Sequence, residues 1–111
     1  MPEIKVFALA GATPWAEVVP GNRRRVLVHT PELMQVEFAF APGAIGALHS
    51  HPHVQSSYIA EGTFEVTIDG RTETLGPGSS FIVPSNLVHG VKALEAGRLI
   101  DSFTPARADF L

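Results

Sequence analysis

Turn chemistry interrupts this chain so often that no long helix fits between the breaks. Pro20-Gly21-Asn22, Pro42-Gly43, Glu61-Gly62, Asp69-Gly70, Gly76-Pro77-Gly78, Pro84-Ser85-Asn86 and Ala96-Gly97 divide the sequence into short runs. Each break holds residues that fix φ, tolerate positive φ or hydrogen-bond their own backbone. The runs between them favour Val, Ile, Phe and Thr, which suit a pleated, half-buried surface. Arg25 to Thr30, Leu33 to Ala41, Tyr58 to Ala60, Thr63 to Ile68, Arg71 to Leu75, Phe81 to Val83, Val88 to Leu94 and Arg98 to Phe103 therefore read as strands, with Asp69-Gly70 a hairpin signal. An edge strand before Pro20 leads into the first hairpin. Met34, Val36, Phe38 and Phe40 share one parity and should form a core or subunit-interface face. Pro105 is placed to start a short helical turn near the C-terminus. The expected fold class is all-β, an antiparallel barrel or sandwich for which a small jelly roll is the best match.

A length of 111 residues suits one domain, residues 1–111, around one core. Hydrophobic residues at 45% against 17% charged exclude a largely disordered chain. Eight Lys and Arg against 11 Asp and Glu leave a formal charge of -3, so nucleic acid is not an expected partner. The basic run Arg23-Arg24-Arg25 follows a turn and reads as a solvated hairpin end, with a docking patch for an anionic partner or another subunit as the alternative. No apolar stretch approaches the roughly 20 residues that cross a bilayer. Near the N-terminus, Glu3 offsets Lys5 and the run Val6 to Ala12 is short for a signal peptide, so no membrane partner and a cytoplasmic location are expected. Edge strands and an apolar barrel face in so short a chain call for covering, which makes a homodimer the expected assembly.

Histidine is concentrated where a strand would place it on one face. His49, His51, His53 and Gln55 alternate in the run His-Ser-His-Pro-His-Val-Gln, and an extended backbone would aim all four the same way. A lone inward His is usually a hydrogen-bonded core residue. Three with an amide would leave many polar groups unsatisfied without a common partner, and a metal ion is the simplest one. Because the chain has no cysteine, such a site must use nitrogen and oxygen ligands.

The segment from Pro42 to Gly62 resembles the first motif of the cupin family, G-x5-H-x-H-x3-E-x6-G. Gly43, His49, His51 and Gly62 fit in register, and Gln55 stands at the position of the Glu. Gly78 to His89 resembles the second motif, G-x5-P-x-G-x2-H-x3-N, through Gly78, Pro84 and His89, with Asn86 in place of the second Gly and Ala93 in place of the final Asn. The resemblance implies a cupin-type double-stranded β-helix and names His49, His51, Gln55 and His89 as ligands of a divalent first-row metal ion (Ni, Zn, Mn or Fe). A neutral amide at Gln55 leaves the full metal charge available to pull on an anionic ligand, unlike the three-His, one-Glu site of a dioxygenase. His53 lies outside the family's ligand set; a role beside the ligands or against substrate, an alternative ligand and a structural role all remain open.

The C-terminal stretch LIDSFTPARADFL, together with HSHPHVQ and VPSNLVHG, resembles the pectin-degradation cupins of the KdgF type, which convert 4,5-unsaturated monouronates to linear keto sugars. That resemblance implies a small anionic sugar as substrate and catalytic roles for Asp101, Phe103 and Arg107 at the cavity mouth: Asp101 as general acid or base, Phe103 as apolar wall and Arg107 as carboxylate clamp. Tyr58 is a further candidate only through its nearness in sequence. The bland alternative makes Asp101 and Arg107 a surface ion pair bracketing a helical turn. Two other functions compete: a metal-dependent dioxygenase or isomerase on another small substrate, and a sugar-binding cupin without turnover.

Overall fold

The computed structural model describes residues 4–111, so Glu3 lies outside the described residues. Among the described residues, ten strands form two antiparallel sheets. They are β1 (Ala16–Val19), β2 (Asn22–His29), β3 (Met34–Phe40), β4 (Ile45–His49), β5 (Val54–Glu61), β6 (Phe64–Ile68), β7 (Arg71–Leu75), β8 (Ser80–Val83), β9 (His89–Ala93) and β10 (Gly97–Thr104). A six-stranded sheet runs in the order β1-β2-β3-β10-β5-β8, and a four-stranded sheet runs β4-β9-β6-β7. Chain neighbours on different sheets, such as β3 with β4 and β5 with β6, give the jelly roll expected from the turn pattern.

The core lies between the sheets. Phe40, Ile59 and Leu99 of the larger sheet meet Phe64, Val66 and Ala93 of the smaller one, with Phe40 and Phe64 edge to face at 5.4 Å between centroids. A second cluster, Met34, Val36 and Phe103, fills the end nearer the C-terminus. The predicted face from Met34 to Phe40 thus points inward: Met34, Val36 and Phe40 are buried, and Phe38 packs against both clusters.

Two turn positions explain residues in the motifs. A Cβ on Gly62 would stand 2.5 Å from the Ala96 carbonyl oxygen, and φ there is +79°, so only glycine lets the two loops approach. Asn86 has φ 68°, a left-handed conformation that Asn tolerates better than most residues, which accounts for Asn at a position where the cupin pattern carries Gly. Its N–H donates to the His51 carbonyl at 2.8 Å and ties the second motif to the first.

Three expectations need correction. The histidine run is not one strand: β4 ends at His49 and β5 begins at Val54, with Ser50 to His53 as a loop that includes Pro52. The short helical turn spans Ala108–Phe110 and so begins beyond Pro105. Arg23-Arg24-Arg25 is not a uniformly solvated end, because strand alternation separates its members. Arg23 and Arg25 lie over Trp15 at 4.9 and 4.0 Å, whereas Arg24 lies over Phe110 at 3.8 Å. No helix among the described residues is long and apolar enough to cross a membrane.

The larger sheet also carries a buried carboxylate. Glu37 of β3 accepts from Arg25 Nε at 2.7 Å and from Arg98, and Arg98 reaches on to Glu61 at 3.1 Å. Burial alone would push the Glu37 carboxyl up, but the hydrogen bonds and charges of Arg98 and Arg25 outweigh it and hold it below the usual range. Glu37→Gln should therefore cost about 2–3 kcal/mol, less than for a fully buried pair because Arg98 keeps contact with water. A depressed carboxylate pKa contributes stability that is present above roughly pH 4.3 and is lost as pH falls through the folded value. Urea denaturation from pH 7 to pH 3 should show a shallower acid loss in Glu37→Gln than in the wild-type chain.

Candidate metal centre and cavity

The four candidate ligands reach one place from three strands and a loop. Cross-strand pairing of β4 and β9 sets His49 directly opposite His89. His51 comes from the loop after β4, and Gln55 is the second residue of β5. Ring centroids are 4.3 Å apart for His49 and His89, 4.7 Å for His51 and His89, and 5.5 Å for His49 and His51. Ligand atoms of the three lie within 4.8 Å of one another.

Backbone carbonyls fix the rings. His49 Nδ1 faces the Ala47 oxygen at 2.8 Å, His51 Nδ1 the His53 oxygen at 3.0 Å and His89 Nδ1 the Leu87 oxygen at 2.9 Å. A carbonyl can only accept, so each Nδ1 carries a proton, and in the neutral form of each ring Nε2 offers its lone pair. His89 Nε2 is buried with no hydrogen-bond partner. Burial holds His89 below the ordinary His range, with His49 and His51 acting the same way, although the Leu87 carbonyl favours the charged form.

Gln55 completes the convergence. Its amide nitrogen donates to Ser57 Oγ at 3.0 Å and to Asp101 Oδ2 at 3.3 Å, which turns Oε1 toward His51 Nε2 at 3.0 Å. With Nδ1 of His51 donating to the His53 carbonyl, the neutral form of the ring would set its Nε2 lone pair against Oε1. Three imidazoles and an amide oxygen converging this closely form a nitrogen and oxygen donor set that suits a divalent first-row ion, so these residues fit a shared metal. The backbone carbonyls that orient the rings are the outer partners that metal-binding histidines normally have.

His53 contributes its carbonyl to this arrangement rather than its ring. Its side chain is outside the three-His group, and burial, followed by Arg107 and His51, lowers its pKa.

Beside the cluster lies a cavity of about 330 Å³ whose lining includes His49, Gln55, His89, Asp101, Phe103 and Arg107. Asp101 sits on β10 opposite Ser57 of β5 and is 4% exposed. Burial pushes its carboxyl up to about 7, partly opposed by a hydrogen bond from Ser57, and Oδ1 has no partner. A divalent charge bound nearby would pull that value down. Phe103 is buried, with its ring 5.8 Å from that of His51.

Asp101 and Arg107 do not form the surface pair that their spacing allowed. Arg107 instead gives Nε and Nη2 to the two oxygens of Asp109, at 3.1 and 2.7 Å. Arg107 also lies over the Phe110 ring at 4.2 Å. Tyr58 points to the other face of β5 from Gln55, Ser57 and Ile59, is 49% exposed, and is not part of the cavity lining.

A cupin-domain family model matches residues 36–103, the span from mid-β3 to the end of the second cluster's Phe103. This chain is a cupin. It is 46% identical over 101 residues to the pectin degradation protein KdgF of Dickeya dadantii, covering 89% of this chain and 92% of that protein. The structure of KdgF from Halomonas sp. superposes with a TM-score of 0.93 at 39% identity, over 96% of this chain and 99% of that one. An RmlC-like cupin from Shewanella frigidimarina gives a TM-score of 0.94 at 40% identity, over 96% of both chains.

Sequence reasoning about the cupin missed four residues around the cavity. Ser57 holds the Gln55 amide, Asp109 engages Arg107, and Arg24 and Asn22 of β2 line the wall. Alternation along β2 was the available signal for the last two, since Asn22, Arg24 and Val26 share a parity.

Elemental analysis of the purified cupin should find a divalent first-row metal ion, which His51→Ala and His89→Ala lose. Where free ion exceeds its dissociation constant about 100-fold, binding adds about 2.7 kcal/mol of stability. Chelation should therefore lower the Tm of the wild-type chain and leave that of either variant unchanged.

Proposed function

We propose that this cupin opens the ring of a 4,5-unsaturated monouronate and ketonises the product to a linear keto sugar. The observation that carries the reading is one cavity lined by a buried carboxyl with a free oxygen, Asp101, by the imidazoles of His49 and His89 and by cationic Arg107. The identity to the pectin degradation protein KdgF supports the same substrate class.

The reaction requires a base, an electrophile and an anion clamp. The C1 hydroxyl loses its proton, the C1–O5 bond breaks as the C1 carbonyl forms, and the electron pair passes to O5, leaving an enolate over C4 and C5. Protonation at C4 then gives the C5 ketone. One proton leaves oxygen and one arrives at carbon, so the sugar is isomerised without a redox change.

Asp101 suits both transfers. Its Oδ1 is free, its other oxygen is held by the Gln55 amide, and burial raises its pKa against the downward pull of any divalent charge bound beside it. A divalent ion bound by His49, His51, Gln55 and His89 would supply Lewis-acid stabilisation of the developing negative charge. Phe103 and Phe40 exclude water from the apolar side of the cavity. Arg107 adds positive charge at the mouth, which draws in a carboxylate.

Asp101→Asn is the direct test. The variant should keep its fold and metal content while loss of the enol-ether absorbance of an unsaturated monouronate falls by about 100-fold or more, the scale of a removed general acid or base. A wild-type rate in this variant would sink the assignment of Asp101. Oxygen consumption with a phenolic or diketone substrate in place of chromophore loss would favour a dioxygenase, and tight sugar binding without turnover would favour a binding protein.

A further inference from the structure

We propose that the β2 wall is a recognition subsite for an acidic sugar, with Arg24 taking the carboxylate and Asn22 a hydroxyl. The proposal rests on the reading of a uronate substrate and names the residues that would recognise it.

Strand alternation supplies the placement. Arg23 and Arg25 lie over Trp15, and Arg25 also binds Glu37 and the Thr13 carbonyl. Arg24 turns the other way, lines the same cavity as the histidine cluster and is half-buried. Its guanidinium lies 3.8 Å from the centroid of the Phe110 ring, and among the described residues it makes no side-chain hydrogen bond or ion pair. Contact with a ring uses the face of the guanidinium and leaves its in-plane N–H donors available. Asp109 acts on it only through space, and a cation partly withdrawn from water whose donors bond no anion is a costly arrangement unless a ligand supplies one. Burial accordingly pulls the Arg24 pKa down, opposed by Asp109 and reinforced by Arg107.

Arg107 is differently placed. Its fork is filled by Asp109 on both oxygens, so a substrate carboxylate must displace that partner to gain two bonds from it. Arg24 presents free donors at the same aromatic ring.

Asn22 is the second, independent observation. It is 5% exposed, belongs to the cavity lining, and its Oδ1 is buried with no hydrogen-bond partner. A buried carbonyl oxygen without a donor is uncommon, and a sugar hydroxyl would supply one. Residues two apart on a strand are about 6.6 Å apart along it, so one hexuronate can reach both.

The test compares wild type with Arg24→Gln, Arg24→Lys and the outward control Arg23→Gln. Turnover of an unsaturated monouronate is followed by loss of its chromophore, and binding of D-galacturonate and neutral D-galactose by calorimetry, with Tm as the check on folding. Arg24→Gln should raise KM and weaken galacturonate binding by about 10- to 100-fold, the value of hydrogen bonds to a charged group, and change kcat little. Arg24→Lys should fall between, and galactose binding and Arg23→Gln should be unaffected. Asn22→Ala should weaken both sugars. An unchanged KM and galacturonate affinity in Arg24→Gln overturns the subsite while leaving the reaction intact. A wild-type protein that binds galacturonate through Arg24 but turns over no unsaturated uronate keeps the subsite and overturns the reaction. One that neither binds nor turns over an acidic sugar overturns both.

Discussion

Antiparallel register is the constraint on which the site depends. Pairing His49 with His89 across β4 and β9 brings together residues 40 positions apart in sequence. Pairing Gln55 with Phe103 and Ser57 with Asp101 across β5 and β10 does the same for the amide and the carboxyl. A slip of one residue in either ladder would turn these side chains to the opposite face, because strand side chains alternate with period two. Core and site therefore share one determinant. The alternation that buries Leu99 and Phe103 also buries Asp101 between them, and the alternation that buries Ile59 aims Gln55 and Ser57 inward.

Inward polar groups are tolerable here because most of them hold one another. Ser57 and Asp101 both meet the Gln55 amide nitrogen, and three carbonyls accept the three Nδ1 protons. Among the described residues five buried side-chain atoms have no partner; His89 Nε2, Asp101 Oδ1 and Asn22 Oδ1 belong to residues that line the cavity, whereas Thr13 and His53 do not. Buried polar atoms without partners normally count against a fold. Three of them on one void give its wall polar atoms with which a ligand could pair.

Local features were the legible ones. Gly and Pro breaks marked the strands, Asp69-Gly70 marked a hairpin, and both its residues have positive φ. Motif spacing identified His49, His51, Gln55 and His89, which the fold does bring together, even though the reason first read from the run was incomplete. Parity through His49 to Gln55 assumed continuous strand, while Pro52 lies in a loop that carries His51 inward and leaves His53 aside. What sequence could not supply was the partner of each charge. Asp101 and Arg107 have a spacing that allows an ion pair, yet β10 buries the first while the chain beyond it hands the second to Asp109. Arg24 was hidden within a basic run because the direction of each strand residue becomes known only once the sheet has a core face.

Charge balance links these residues to a common chemistry. Gln55 brings no negative charge to the histidine cluster, so the four candidate ligands would leave the charge of a divalent ion held there unopposed. At the mouth, Arg24 and Arg107 face the single carboxylate of Asp109 near the Phe110 ring. With a divalent ion held by the histidines, the cavity would be biased toward anions at both ends, although the chain as a whole has a net charge of -3. Overall charge would repel an acidic substrate weakly and is screened within about 8 Å at physiological salt. The local field acts inside that distance, in a site partly shielded from water, where charges interact more strongly than on the surface. The proposed monoanionic sugar, with one carboxylate for the guanidiniums and an oxygen that would become anionic near the histidines, would match both ends of this field at once.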